Sequence, residues 1–242
     1  MAQDLTAAQV AKMIDHSILK PEFTPSDVRE GCAIAARFKT GSVCVRPGDV
    51  PLAAEVLEGS GVPVCTVVGF PHGSNATEIK VAETRVAVTE GAVEIDMVLN
   101  IGRLRAGDLD YVEADIRAVV EAAGDAIVKV ILENAYLTDE QKVQGCQASE
   151  RAGAAFVKTS TGYAPSGATL ADVRLMRATV SDHVQVKAAG GIRSLDALLE
   201  MFDAGATRFG ASATEAILGE LESRLRGEAP VPAESVAGSG DY

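Results

Sequence analysis

Short runs of β-branched and other apolar residues alternate along the chain with longer stretches whose apolar positions recur at helical spacing. Eight of the short runs predict strands, over residues 13–19, 42–46, 62–68, 93–99, 127–132, 155–159, 184–188 and 207–210. Helix starts fall between them. Thr24-Pro25-Ser26-Asp27 precedes Val28, Ser74-Asn75 precedes the run 76–90, and Thr138-Asp139-Glu140 precedes Val143. Gly91, Gly124, Gly153 and Gly205 fall where helices should end, in the role of left-handed caps. Strand and helix alternate without a linker to about Gly227, so the economical reading is one α/β domain, a single (β/α)8 barrel over residues 1–226, with a flexible tail over 227–242. A doubly wound sheet would carry a glycine-rich turn after its first strand, where this chain has Leu19-Lys20-Pro21.

Length and composition fit that reading and narrow the function. The 242 residues are 47% hydrophobic, enough for a large core, and 22 basic against 34 acidic side chains give a net charge of −12. No basic run interrupts the acidic balance, which argues against a nucleic-acid partner. The first ten residues lack the pattern of a signal peptide, and no apolar stretch approaches the ~20 residues of a membrane span. Cys32, Cys44, Cys65 and Cys146 are widely spaced, unlike a zinc knuckle or a disulfide framework. Together these predict a cytoplasmic protein without membrane partner or metal.

Charges then appear where a barrel should be apolar. Asp15, Asp96, Lys129, Lys158 and Lys187 each stand among apolar neighbours within a strand, and a barrel gathers its strand ends into one mouth. Any one of them fits a structural ion pair; five together point to chemistry. A second cation and a dry site both disfavour the ammonium form of a lysine, and the neutral amine is a nucleophile toward carbonyls. Imine formation also needs proton carriers, for which nearby carboxylates and the second lysine serve better than His16, His72 or His183.

Loops after strands seven and eight are where barrels bind phosphate. Here they read Ala189-Gly190-Gly191-Ile192-Arg193-Ser194 and Gly210-Ala211-Ser212, and strand six adds Thr159-Ser160-Thr161-Gly162. Ordinary tight turns with helix caps are the alternative use of such residues.

The strand-end segments, in order, resemble the deoxyribose-phosphate aldolase family. They run Asp15-His16-Ser17-Ile18-Leu19-Lys20-Pro21, Ser42-Val43-Cys44-Val45, Val68-Gly69-Phe70-Pro71-His72-Gly73, Glu94-Ile95-Asp96-Met97-Val98, Lys129-Val130-Ile131-Leu132-Glu133, Phe156-Val157-Lys158-Thr159-Ser160-Thr161-Gly162 and Val186-Lys187-Ala188-Ala189-Gly190-Gly191-Ile192-Arg193. The resemblance implies reversible cleavage of 2-deoxy-D-ribose 5-phosphate to acetaldehyde and D-glyceraldehyde 3-phosphate, without cofactor or metal, in deoxyribonucleoside catabolism. It implies Lys158 as the Schiff-base lysine, Lys187 as the lysine that perturbs it and Asp96 as the proton shuttle. Asp15 would hold a substrate hydroxyl, Cys44 would be a pocket-side cysteine or, the role its chemistry favours, a small buried hydrophobe, and Gly162, Gly190, Gly191, Arg193, Gly210 and Ser212 would surround the phosphate; Lys129 joins the pocket from its place among the strand charges. Tyr163 and Ala213 stand where some family members have Lys and Ser, which removes one cationic and one hydroxyl phosphate contact. Some members also end in Tyr, so the terminal Tyr242 is a candidate for assisting proton transfer. A homodimer is the assembly implied.

Two competitors remain at this level. A metal-dependent aldolase or isomerase would use the three histidines, which lie on different segments with no ligand-spaced pair. A catalytically silent barrel could bind a sugar phosphate as a sensor, but a pure binder has no need of Lys158.

Overall fold

A computed structural model describes residues 5–227. Eight parallel strands close into a barrel in chain order: β1 (Ile14–Ile18), β2 (Ser42–Val45), β3 (Val64–Val68), β4 (Glu94–Val98), β5 (Ile127–Ile131), β6 (Phe156–Lys158), β7 (Gln185–Ala189) and β8 (Arg208–Ala211). Every strand falls inside or within a residue of its predicted run. The closing pair sets Asp15 of β1 opposite Gly210 of β8, joining the two ends of the domain.

Ten α-helices surround the barrel among the described residues: α1 (Ala7–Met13), α2 (Pro25–Phe38), α3 (Val50–Val56), α4 (Thr77–Thr89), α5 (Ile101–Arg105), α6 (Leu109–Ala123), α7 (Asp139–Arg151), α8 (Leu170–Thr179), α9 (Leu195–Asp203) and α10 (Thr214–Leu225). Eight close the βα units. The sequence pattern does not anticipate α1, which packs against α10, or α5, a single extra turn after β4. None of these helices is long and apolar enough to cross a membrane.

Helix starts follow local chemistry in two of the three places expected. Thr24 and Asp27 form a reciprocal capping box on α2, with Pro25 in its first turn, and Thr138 pairs with Gln141 at the start of α7. At α4 the expectation fails: Ala76 is the N-cap, and neither Ser74 nor Asn75 caps the helix. A tertiary anchor takes over, because Thr77 Oγ1 donates to Asp115 of α6 at 2.7 Å and the buried Lys80 reaches the same carboxylate at 2.6 Å. Gly91, Gly124, Gly153 and Gly205 all adopt positive φ after their helices.

Side-chain parity divides the barrel into two cores. Outward residues such as Val43, Ile95, Val130, Val157, Val186 and Phe209 pack with the helices into the main apolar core. Inside the barrel, Cys44, Cys65 and Val67 form a small separate cluster capped by Leu19 and Phe70. The interior also holds the charged side chains of Asp15, Glu94, Asp96, Lys129, Lys158, Lys187 and Arg208.

Candidate active site

Asp15, Glu94, Asp96, Lys129, Lys158 and Lys187 are all buried inside the barrel, with Arg208 largely so. Strand register brings them together: Asp96 lies opposite Lys129, Lys158 opposite Lys187, and Lys187 opposite Arg208. At the N-terminal end Arg208 holds Glu94 through two bonds of 2.6 and 2.8 Å and Asp15 through Nε at 2.6 Å. Ser42 donates to Asp15 at 2.7 Å, and Lys187 donates to its other oxygen. Lys129 bridges Glu94 and Asp96, both at 2.7 Å. The remaining oxygen of Asp96 is shared, at 2.8 Å by Lys158 and at 2.6 Å by Lys187.

Four cations therefore face three carboxylates, leaving one positive charge in excess when all are ionised. Burial alone would raise the Asp96 carboxyl, but Lys129, Lys158 and Lys187 outweigh it and hold it well below the usual carboxylate range. The same contest keeps Asp15 ionised: burial opposes, and Lys187, Lys129 and Arg208 prevail. Burial pulls Lys187 down, yet Asp15 and Asp96 lift it above the ordinary lysine value, making it a fixed cation at neutral pH. Lys129 behaves likewise, against burial, chiefly through Asp96.

One cavity opens on this network at the C-terminal end of the strands. Ser17, Leu19, Lys20, Phe23, Lys158 and Thr161 line it, together with Gly162, Tyr163, Gly190, Gly191, Gly210 and Ser212. Of the charged interior, only Lys158 reaches it. Asp15, Asp96, Lys129 and Lys187 lie beneath, so the expected convergence at a mouth is corrected to a buried column that borders the cavity at Lys158. Cys44 is buried in the Cys44–Cys65–Val67 cluster and does not line the cavity. Arg193 lines an adjoining cavity, which shares Gly162, Tyr163, Gly190 and Gly191 with the first.

The loops after β6 and β7 meet where Gly190 (φ +84°) passes Gly167 so closely that a Cβ on Gly190 would lie 2.8 Å from the Gly167 Cα. Ser194 caps α9 by accepting from Ala197 N–H at 3.2 Å. Tyr163 spans the rim, its hydroxyl donating to the Leu19 carbonyl at 2.7 Å and its ring meeting Phe70 edge-on. Tyr242 and the rest of 228–242 lie outside the described residues.

Metal chemistry finds little support in the donor set. His16 bonds Thr214 Oγ1 at 2.8 Å through Nδ1, and burial pushes its pKa down to about 4, leaving a neutral core histidine. Among the described residues one group has ligand geometry, Cys44, Cys65 and Asp96, and it contains no histidine. Both oxygens of that Asp96 already take ammonium protons.

Glu94, Arg208, Ser42 and Cys65 are members of the site that sequence reasoning missed. Parity was the available signal, since Glu94 stands two residues before Asp96 and Arg208 two before Gly210.

Similarity to known proteins agrees with this chemistry. A model of the DeoC/LacD family aldolases matches residues 9–220. The chain belongs to that aldolase family. It is 52% identical over 210 residues to the deoxyribose-phosphate aldolase of Clostridium perfringens (strain 13 / Type A), covering 86% of this chain and 94% of that one. Identity to the deoxyribose-phosphate aldolase of Streptococcus gordonii is 54% over 213 residues, 88% and 97% of the two chains. A solved structure, the tetrameric deoxyribose phosphate aldolase from Aeropyrum pernix, superposes with a TM-score of 0.84 at 30% identity, covering 90% of this aldolase and 93% of that chain.

Proposed function

We propose that this aldolase reversibly cleaves 2-deoxy-D-ribose 5-phosphate into acetaldehyde and D-glyceraldehyde 3-phosphate through a Schiff base on Lys158. The observation that carries the reading is the position of Lys158, the one member of a charged interior that lines the cavity, 2.8 Å from Asp96. Lys158 is the one lysine of the charged interior in contact with the cavity, and its free amine is the nucleophile toward the substrate carbonyl.

The Lys158 amine adds to the C1 aldehyde of the opened sugar, and loss of water from the carbinolamine gives the iminium. Removal of the C3 hydroxyl proton then breaks the C2–C3 bond, its electron pair passing to the iminium as the enamine and the C3 oxygen becoming the aldehyde of glyceraldehyde 3-phosphate. The enamine takes a proton at C2, and water releases acetaldehyde. Asp96 Oδ2, shared by Lys158 and Lys187, is the relay for these protons. Because the Asp96 carboxyl is held so acidic, protons pass over it and rest on lysine.

The phosphate sits against Gly162, Gly190, Gly191, Gly210 and Ser212, where glycine backbone can approach an anion closely, with Arg193 acting from the adjoining cavity. Asp15, Lys129 and Cys44 act from below, shaping the floor. Tyr242 assists protonation of the enamine; deleting it should slow proton exchange at C2 without affecting folding. A cytoplasmic homodimer completes the reading, in keeping with four unpaired, buried cysteines. The experiment is an assay of acetaldehyde release from 2-deoxy-D-ribose 5-phosphate. Wild-type protein should release it and Lys158→Ala should not; equal rates from both would defeat the proposal, and binding without turnover would favour a sensor.

A further inference from the structure

Two residues other than glycine adopt a left-handed backbone among those described. Lys39 (φ +54°) has an ordinary reason, since it caps the C-terminus of α2. Glu133 (φ +59°, ψ +64°) has none: it follows a strand, β5, and its side chain is buried. A strained backbone that keeps a large acidic side chain where glycine would be at ease marks a side chain in use.

That side chain clamps one residue. Glu133 Oε1 accepts from the Thr161 N–H at 3.1 Å, and Oε2 accepts from the Thr161 hydroxyl. Neighbouring backbone bonds hold the two segments together, from Leu132 N–H to the Lys158 carbonyl and from Asn134 N–H to the Thr159 carbonyl, each 3.0 Å. Thr161 lines the same cavity as Lys158.

A threonine hydroxyl has one proton and two lone pairs. The proton is committed to Glu133, and one lone pair takes the Tyr163 N–H at 3.0 Å. What is left for a ligand is one lone pair. We propose that Glu133 is a positioning residue that sets the polarity of Thr161, so that the cavity wall beside Lys158 accepts a hydrogen bond from the ligand and donates none. The inference rests on the Schiff-base reading above, and it deepens that reading by naming the residue that sets how the hydroxyl beside the acceptor's carbonyl is recognised. Acceptor aldehydes with a hydroxyl beside the carbonyl are favoured over those with a methyl in its place. A ligand that offers only an acceptor at this point meets oxygen against oxygen. Burial lifts the Glu133 carboxyl above its ordinary value, and the two bonds from Thr161 and the charge of Lys158 oppose that rise.

The test compares glycolaldehyde with propanal as acceptors for acetaldehyde, reading kcat/KM for each in wild type, Glu133→Gln and Glu133→Asp. Taking the ratio between proteins cancels the intrinsic reactivity of the two aldehydes. A glutamine can donate to the Thr161 oxygen and free its proton toward the cavity. The glycolaldehyde preference should therefore fall about tenfold in Glu133→Gln, carried mainly by KM, and recover at least partly in Glu133→Asp. Should Glu133→Gln fail to fold, Glu133→Gly carries the same comparison, since it relaxes the backbone while removing the carboxylate. An unchanged preference in the folded variant would overturn the proposal, because a purely structural Glu133 would slow both acceptors alike. Borohydride trapping of acetaldehyde on wild-type Lys158 separates the two readings: no adduct would sink the aldolase chemistry and this inference with it.

Discussion

Two places in this barrel bury a lysine completely against carboxylate, and only one of them looks reactive. In the helical layer Lys80 is fully buried, with Asp115 at 2.6 Å and the Val98 carbonyl at 3.0 Å, while Thr77 takes the other Asp115 oxygen. That pair is balanced in charge, satisfied in hydrogen bonds and absent from the cavity lining. In the interior, three lysines and Arg208 share three carboxylates, and Lys158 alone looks out. Burial by itself lowers Lys80, even with Asp115 beside it, whereas Lys187 and Lys129 are raised by their carboxylates. A desolvated lysine is therefore not the signature of this site; an unbalanced charge with access to a cavity is.

Breaking each region separately sharpens the contrast. Lys158→Ala should lower kcat by on the order of 10⁴-fold or more, with the fold retained by circular dichroism. Lys187→Met should cost roughly 10²–10⁴ in kcat, the usual worth of a proton-transfer group, and steady-state kinetics will show whether KM moves less than kcat. Lys80→Met should show the opposite profile. It leaves Asp115 buried and unpaired and should cost about 3–5 kcal/mol in urea unfolding, with the kcat of the folded fraction within a few-fold of wild type.

The two regions should also differ in sign with pH. Asp96 and Asp15 are depressed, so their stabilisation is present above the unfolded aspartate value of about 3.9 and is lost as pH falls below it. Lys187 and Lys129 are raised, so their stabilisation is present below the unfolded lysine value of about 10.4 and drains away as pH rises beyond it. Lys80 is lowered, so just below about 10.4 the unfolded chain binds the extra proton and this residue's contribution grows with pH. Urea midpoints of wild type and Lys80→Met from pH 8 to 10 test this: the gap between them should widen with pH, and a constant gap would refute it. The smallest effects concern caps. Thr24→Ala should cost about 1 kcal/mol through the capping box on α2, and Ser74→Ala should fall within roughly 0.5 kcal/mol because Ser74 caps nothing.

What the chain reveals by itself follows from the range of each interaction. Strands are legible because period-two alternation is local, and Lys158 and Lys187 stand out as charges among apolar neighbours near strand ends. Arg208 and Glu94 are not legible in that way, because each opens its strand and reads as a solvated rim. Closure of β8 on β1 brings Arg208 to Asp15, 193 residues away. The start of α4 is misread for a similar reason, since Ser74-Asn75 is a fair local cap and the anchor chosen instead, Asp115, lies 38 residues beyond Thr77. Glu133 carries no local sign of its left-handed backbone, which only its grip on Thr161 explains.

Reductive trapping asks directly which lysine meets the carbonyl. Treating the protein with acetaldehyde and borohydride, then mapping peptides by mass spectrometry, should place one ethyl group on Lys158 and none on Lys80, Lys129 or Lys187. An adduct on another buried lysine, or none on Lys158, would contradict the account.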